Sequence, residues 1–135
     1  MKRLHLIFGL LVLVAFVLTG QYMDIYHRHL EGMADGPRMV YRSRHIFILL
    51  AGLLNVGLGV YLRPRGARWR ASLQWLGSVL IITATVLFIV GFFYEPGLEG
   101  LVVPLSQRGA YAILAGTLLH LISGARQAEG REAEG

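Results

Sequence analysis

The chain contains no cysteine. That excludes disulfides, thiolate metal sites, c-type haem attachment and thiol catalysis. Charge is scarce as well. Only 16% of the 135 residues are Asp, Glu, Lys or Arg, against 55% hydrophobic residues, and the mean hydropathy is +0.55. A soluble domain of this size needs far more polar surface. Common catalytic signatures are missing too: there is no Gly-rich phosphate loop, no Ser/His/Asp order and no HExxH zinc motif. No charge falls at the centre of an apolar block, and a pore needs a continuous polar path.

What the chain has is four apolar blocks, each near the length that crosses a hydrocarbon core of roughly 30 Å. They are continuous rather than alternating, which argues against a β-barrel. The expectation is an all-α, polytopic membrane protein: a four-helix transmembrane bundle over residues 1–124. The spans fall at about 4–26, 45–62, 71–94 and 105–124, and 125–135 form a disordered cytoplasmic tail, small and charged. The second helix is expected to extend beyond the membrane. Asp35-Gly36-Pro37 marks a turn and a helix start, and Pro37 to Leu62 spans about 39 Å as a helix, longer than the core requires. Its first two turns, with Arg38, Arg42 and Arg44, then stand in the interface. Lys2 and Arg3 ahead of the first block resemble a signal-peptide start. An uncleaved first helix is preferred to cleavage after Gly20, because three more spans follow.

The net charge is +5. The arginines sit between apolar blocks, where topology and anionic headgroups explain them and nucleic acid does not. With four spans, one side holds Lys2, Arg3, the four arginines of RPRGARWR (63–70), Arg126 and Arg131. The other holds Arg28, Arg38, Arg42, Arg44 and Arg108. The richer side faces the cytoplasm. Both termini are therefore expected inside a bacterial-type inner membrane, with the 27–44 and 95–109 connections on the periplasmic side.

Polar residues at membrane depth are costly and often functional. On the first helix His5, Gly9, Phe16, Gly20, Asp24 and His27 share a stripe. In DIYHRH (24–29), Asp24 can meet His27 at i,i+3, while His29 points away on a continuing helix. Asp24, His27, His29 and His45 form a weak metal-ligand set; the plainer reading is the wet end of a helix with a surface ion pair. Gly9, Gly20, Gly52, Asn55, Gly59 and Gly116 are expected packing positions, small residues that let helices approach and an amide that bonds across them. Each side of the membrane offers a histidine pair, His5 with His120 inside and His45 with His27 or His29 outside.

That layout makes His5, His27, His45 and His120 candidate ligands for b-type haem or a metal ion. Arg38, Arg42 and Arg44 are candidate contacts for anionic groups such as propionates. The plainer account has His120 bonded to a neighbouring helix and His5 lying near headgroups. Glu95 and Glu99 read as solvated. The favoured function is a non-enzymatic accessory or structural membrane component, contacting the lipid bilayer and either a membrane-protein partner or its own copies. A redox component and an oligomeric carrier or channel are the alternatives. The topology has a direct check: a reporter fused after Gly66 should be active only in the cytoplasm and one after Gly97 only in the periplasm. Periplasmic activity at Gly66 would invert the orientation.

Overall fold

The computed structural model describes residues 1–62, 68–98 and 103–124. These residues are all-helical. Four α-helices follow in order, α1 (Lys2–His27), α2 (Asp35–Tyr61), α3 (Arg68–Tyr94) and α4 (Pro104–Gly124), with single 3-10 turns at Arg28–Leu30 and Glu95–Gly97. Most of the RPRGARWR turn, Glu99 and the 125–135 tail lie outside the described residues.

Three helices, α1 to α3, are long and apolar enough to cross a membrane. The fourth expected span, α4, falls short of the other three in hydropathy. It is 21 residues long, about 31 Å. Gln107, Arg108 and His120, with its many small residues, dilute its hydropathy. α2 begins at Asp35, two residues before Pro37, so the proline sits within the first turn, where its missing N–H costs no hydrogen bond.

The helices pack as neighbours in sequence. α1 lies antiparallel along α2, α4 lies along α3, and α2 and α3 join the two pairs. Glycine sets both close approaches. A methyl group on Gly9 would stand 2.6 Å from the backbone nitrogen of Val56, and one on Gly59 would stand 2.6 Å from the backbone of Leu6. Gly52 faces Leu13 in the same ladder. Between α3 and α4, Gly77 and Gly116 face each other backbone to backbone, and Gly109 faces Phe88. Val12, Ile48, Ala51, Ile81, Ala84, Phe88 and Phe92 fill the interior. The outer faces are apolar instead: on α1, Ile7, Leu10, Leu11, Val14, Val17 and Leu18 are all exposed, a surface suited to lipid.

Two distinct ends result. At the proximal end α1 begins and α4 finishes; at the distal end α1 finishes and α4 begins. Gly59→Ala and Gly9→Ala should each destabilise the chain by about 1–3 kcal/mol, because the added methyl meets backbone that cannot rotate away. Gly57→Ala meets nothing within 4 Å and should be neutral or stabilising by up to about 1 kcal/mol. Unfolding in mixed micelles of graded denaturing-detergent content measures all three.

Candidate functional site

The distal end is organised by a buried carboxylate. The 3-10 turn after α3 swings Glu95 inward, where it is 2% exposed. Glu95 Oε2 accepts from Arg44 Nε of α2 at 2.6 Å and from Ser106 Oγ of α4 at 2.5 Å, and Oε1 accepts from the Ser106 amide at 2.8 Å. Ser106 is the third residue of α4, so its N–H has no acceptor within the helix. A carboxylate at a helix N-terminus also meets the positive end of the helix dipole. Glu95 therefore caps α4 while neutralising Arg44. Arg44 is itself buried, donates to Ser43 Oγ at 3.1 Å, and stands 5.4 Å over the Phe47 ring. Gly91 leaves the room: a methyl there would lie 3.0 Å from Ser106 Oγ and 3.1 Å from Glu95 Oε2.

This assembly differs from the solvated Glu95 expected from sequence. An acid beside a Pro-Gly turn reads as loop, and nothing local reveals that an arginine 51 residues earlier meets it. Ser106 carried no signal beyond its place in the first turn of α4. Of the three expected anion contacts, Arg44 is spent on Glu95. Arg38 pairs with Asp35 at 2.7 Å and donates to the Met33 carbonyl at 3.0 Å. Arg42 is exposed and makes no ion pair among the described residues.

The DIYHRH segment breaks from helical geometry. α1 stops at His27, and Arg28, His29 and Leu30 take positive φ of 44°, 59° and 65°. The left-handed turn buries Leu30 and folds His29 back, so that His29 Nε2 lies 2.6 Å from Asp24 Oδ1. The ion pair falls to His29, the residue that a continuing helix would have pointed away. His27 instead meets the Tyr41 hydroxyl at 3.2 Å, within a cluster of Tyr22, Tyr41 and Phe92.

His45 has other partners again. Its ring stacks on Phe16, centroids 4.0 Å apart, beside Gly20. Its Nδ1 lies 3.0 Å from Thr19 Oγ1. The Thr19 hydroxyl already donates to the Phe16 carbonyl, so the Nδ1–H is the donor. The expected outer pairing of His45 with His27 or His29 is thus replaced by three separate contacts. The four-residue metal set comes apart for the same reason. Among the described residues, no group of three His, Asp or Glu side chains gathers to hold a metal ion.

Toward the proximal end two polar groups join helices, one across α1, α2 and α3 and one across α3 and α4. His5 is fully buried and its Nδ1 lies 2.7 Å from Asn55 Oδ1. Asn55 Nδ2 donates to the Ala51 carbonyl at 2.8 Å and to Thr85 Oγ1 at 3.1 Å, and Thr85 donates to the Ile81 carbonyl. On α4, His120 Nε2 lies 3.3 Å from Ser78 Oγ of α3. The His5 and His120 rings stand edge to face with centroids 6.4 Å apart. The glycines that could give a haem room are closed: Gly9, Gly52 and Gly116 each touch a neighbouring helix, and Gly20 faces the His45 ring. The residues present do not fit a macrocycle, which would require those helices to part.

No family model, curated protein or solved structure matches this chain. Residue chemistry alone must carry the reading.

Breaking a buried ion pair by removing one partner costs about 3–5 kcal/mol, whereas replacing both with apolar groups can be nearly neutral. Glu95→Leu and Arg44→Met should each destabilise by that order, and the Arg44→Met/Glu95→Leu double variant by clearly less than their sum. A double-mutant cycle in micelle unfolding reads the coupling; additive costs would mean that the two residues do not act as a pair.

Proposed function

We propose that this chain is a small multi-pass component of a bacterial-type inner membrane, an accessory or structural subunit with no reaction of its own. In this reading α4 inserts beside the three apolar helices, completing a four-helix bundle. Both termini lie in the cytoplasm, and the first turns of α2 stand out of the membrane on the periplasmic side.

The observation that carries the reading is the fate of the buried polar side chains. Glu95, Arg44, Asn55, Thr85 and Thr19 each bond to another helix or to backbone. Polar groups committed in this way hold helices together, since apolar contact alone gives them no hydrophobic driving force in lipid. They are not free to bind or convert a substrate. The exposed apolar face of α1 supports contact with lipid, with a partner helix or with a second copy. Asp24, His29 and Arg42, which line one shallow distal depression of about 260 Å³, supply a polar rim for such a contact.

Purification in mild detergent from cells supplied with haem precursors and metals tests the reading. Visible spectroscopy, metal analysis and native mass spectrometry should together give no Soret band, no stoichiometric metal, and a defined complex or homo-oligomer. A Soret band lost in His45→Ala or His120→Ala would overturn it in favour of a redox component.

A further inference from the structure

Among the described residues, two ring nitrogens at the proximal end are buried without a hydrogen-bond partner, His5 Nε2 and His120 Nδ1. They belong to the two histidines whose centroids stand 6.4 Å apart. The protonation pattern around His5 follows from its neighbours. The Ala51 carbonyl can only accept, so the Asn55 atom facing it is the NH2 group, and Oδ1 is left facing His5. His5 Nδ1 therefore carries the proton. Its Nε2 is then a bare lone pair in the neutral ring, sealed between helices. A buried lone pair without a donor is costly, so the site calls for a small donor.

Distance selects the donor. A ring nitrogen lies about 1.1 Å from its centroid, so a direct N–H···N bond of about 3.0 Å separates centroids by at most about 5.2 Å. The rings are too far apart for that. A tetrahedral metal shared by both nitrogens, at about 2.0 Å from each, would set the centroids near 5.1 Å and require the helices to close by about 1.3 Å. A linear two-coordinate ion reaches about 6.2 Å only if both nitrogens point straight at it. A water at about 2.9 Å from each nitrogen is the longest of these spacers, allowing up to about 8 Å between centroids, so a separation of 6.4 Å leaves room for nitrogens that stand off the line between two rings set edge to face.

A cavity of about 290 Å³, lined in part by Tyr61, Gln74, Thr117 and His120, opens beside the second ring. That is several times the volume a water occupies in the liquid, about 30 Å³. Gly77 clears the His120 ring: a methyl there would lie 3.0 Å from Cδ2 and 3.2 Å from Nε2.

We propose that His5 Nε2 and His120 Nδ1 hold a single water between α1 and α4, exchanging through the cavity beside His120. The water donates to His5 Nε2. His120 completes its coordination as donor or acceptor, according to which way the Ser78 hydroxyl turns. The described carboxylates, Asp24, Glu31, Asp35 and Glu95, all lie at the distal ends of the helices. Among the described residues, Tyr61 of α2 lines the cavity and the Met1 amino group acts electrostatically on His5. The site thus offers water, and a proton carried by it, a way to a histidine otherwise closed off. It stands independently of the accessory role.

Nitrogen-15 NMR of histidine-labelled protein in lipid bilayers tests it. His5 Nε2 should resonate as an unprotonated imidazole nitrogen, and water-edited transfer should reach both His5 Nε2 and His120 Nδ1. In His120→Phe the transfer to His5 should fall at least threefold while the His45 resonances stay in place. A protonated His5 Nε2, or water transfer no stronger than to lipid-facing backbone, overturns the proposal. So does one equivalent of silver or zinc ion shifting both rings together in wild-type protein and leaving the His120 ring unshifted in His5→Asn, which would make the gap a metal site. If His120→Phe does not fold, the wild-type spectrum and the metal titration decide the matter.

Discussion

A carboxylate and a guanidinium removed from water must find each other, and the distal end is arranged around that necessity. Glu95 sits on the turn between α3 and α4, Arg44 two and a half turns into α2, and Ser106 on the first turn of α4. Because Glu95 accepts from both, the join between the α1–α2 pair and the α3–α4 pair is fixed at one point in space. The Coulombic term is large in a dry interior, but so is the desolvation cost. The net gain comes from satisfying three donors at once, one of them a helix-terminal amide that has no partner within α4. The pair specifies register as well as holding it: a one-residue slip of α4 would carry Ser106 off the carboxylate.

Histidines carried most of the functional weight in the sequence reading, and their neighbours decide what each one does. Threonine and asparagine are the deciding residues. Thr19 has one hydroxyl proton and gives it to its own helix, so it can only accept from His45. Asn55 has two amide protons and gives both away, so its oxygen is left for His5. Neutral polar side chains with fixed obligations assign roles to the ionisable ones around them. The same logic exposes the exception, since neither His5 nor His120 spends its second ring nitrogen on a described residue.

Helix identity and rough boundaries were legible in the sequence because block length and hydropathy are local properties. α3 begins three residues before the expected span and ends on the same Tyr94. The glycine ladder was legible as a pattern, and the contacts of Gly9, Gly52 and Gly59 follow it. Three things were not legible. The Arg44–Glu95 pair depends on how two helix pairs dock, which no local pattern encodes. The turn at Arg28–Leu30 places three non-glycine residues in left-handed geometry, the opposite of what continuing helical periodicity implies, so His29 takes the Asp24 contact expected of His27, and His27 turns to Tyr41. The modest hydropathy of α4, lowered by Gln107 and Arg108, is masked by the length of its apolar stretch.

Everything at the distal end rests on Glu95 holding the start of α4. Hydrogen exchange at the Ser106 amide reports on that contact directly, because this N–H bonds to Glu95 and to no residue of its own helix. In the wild-type protein the amide should be strongly protected. In Glu95→Ala its exchange should accelerate at least tenfold, while amides in the middle of α2 and α3 stay protected. Unchanged protection of Ser106 in Glu95→Ala would contradict the account.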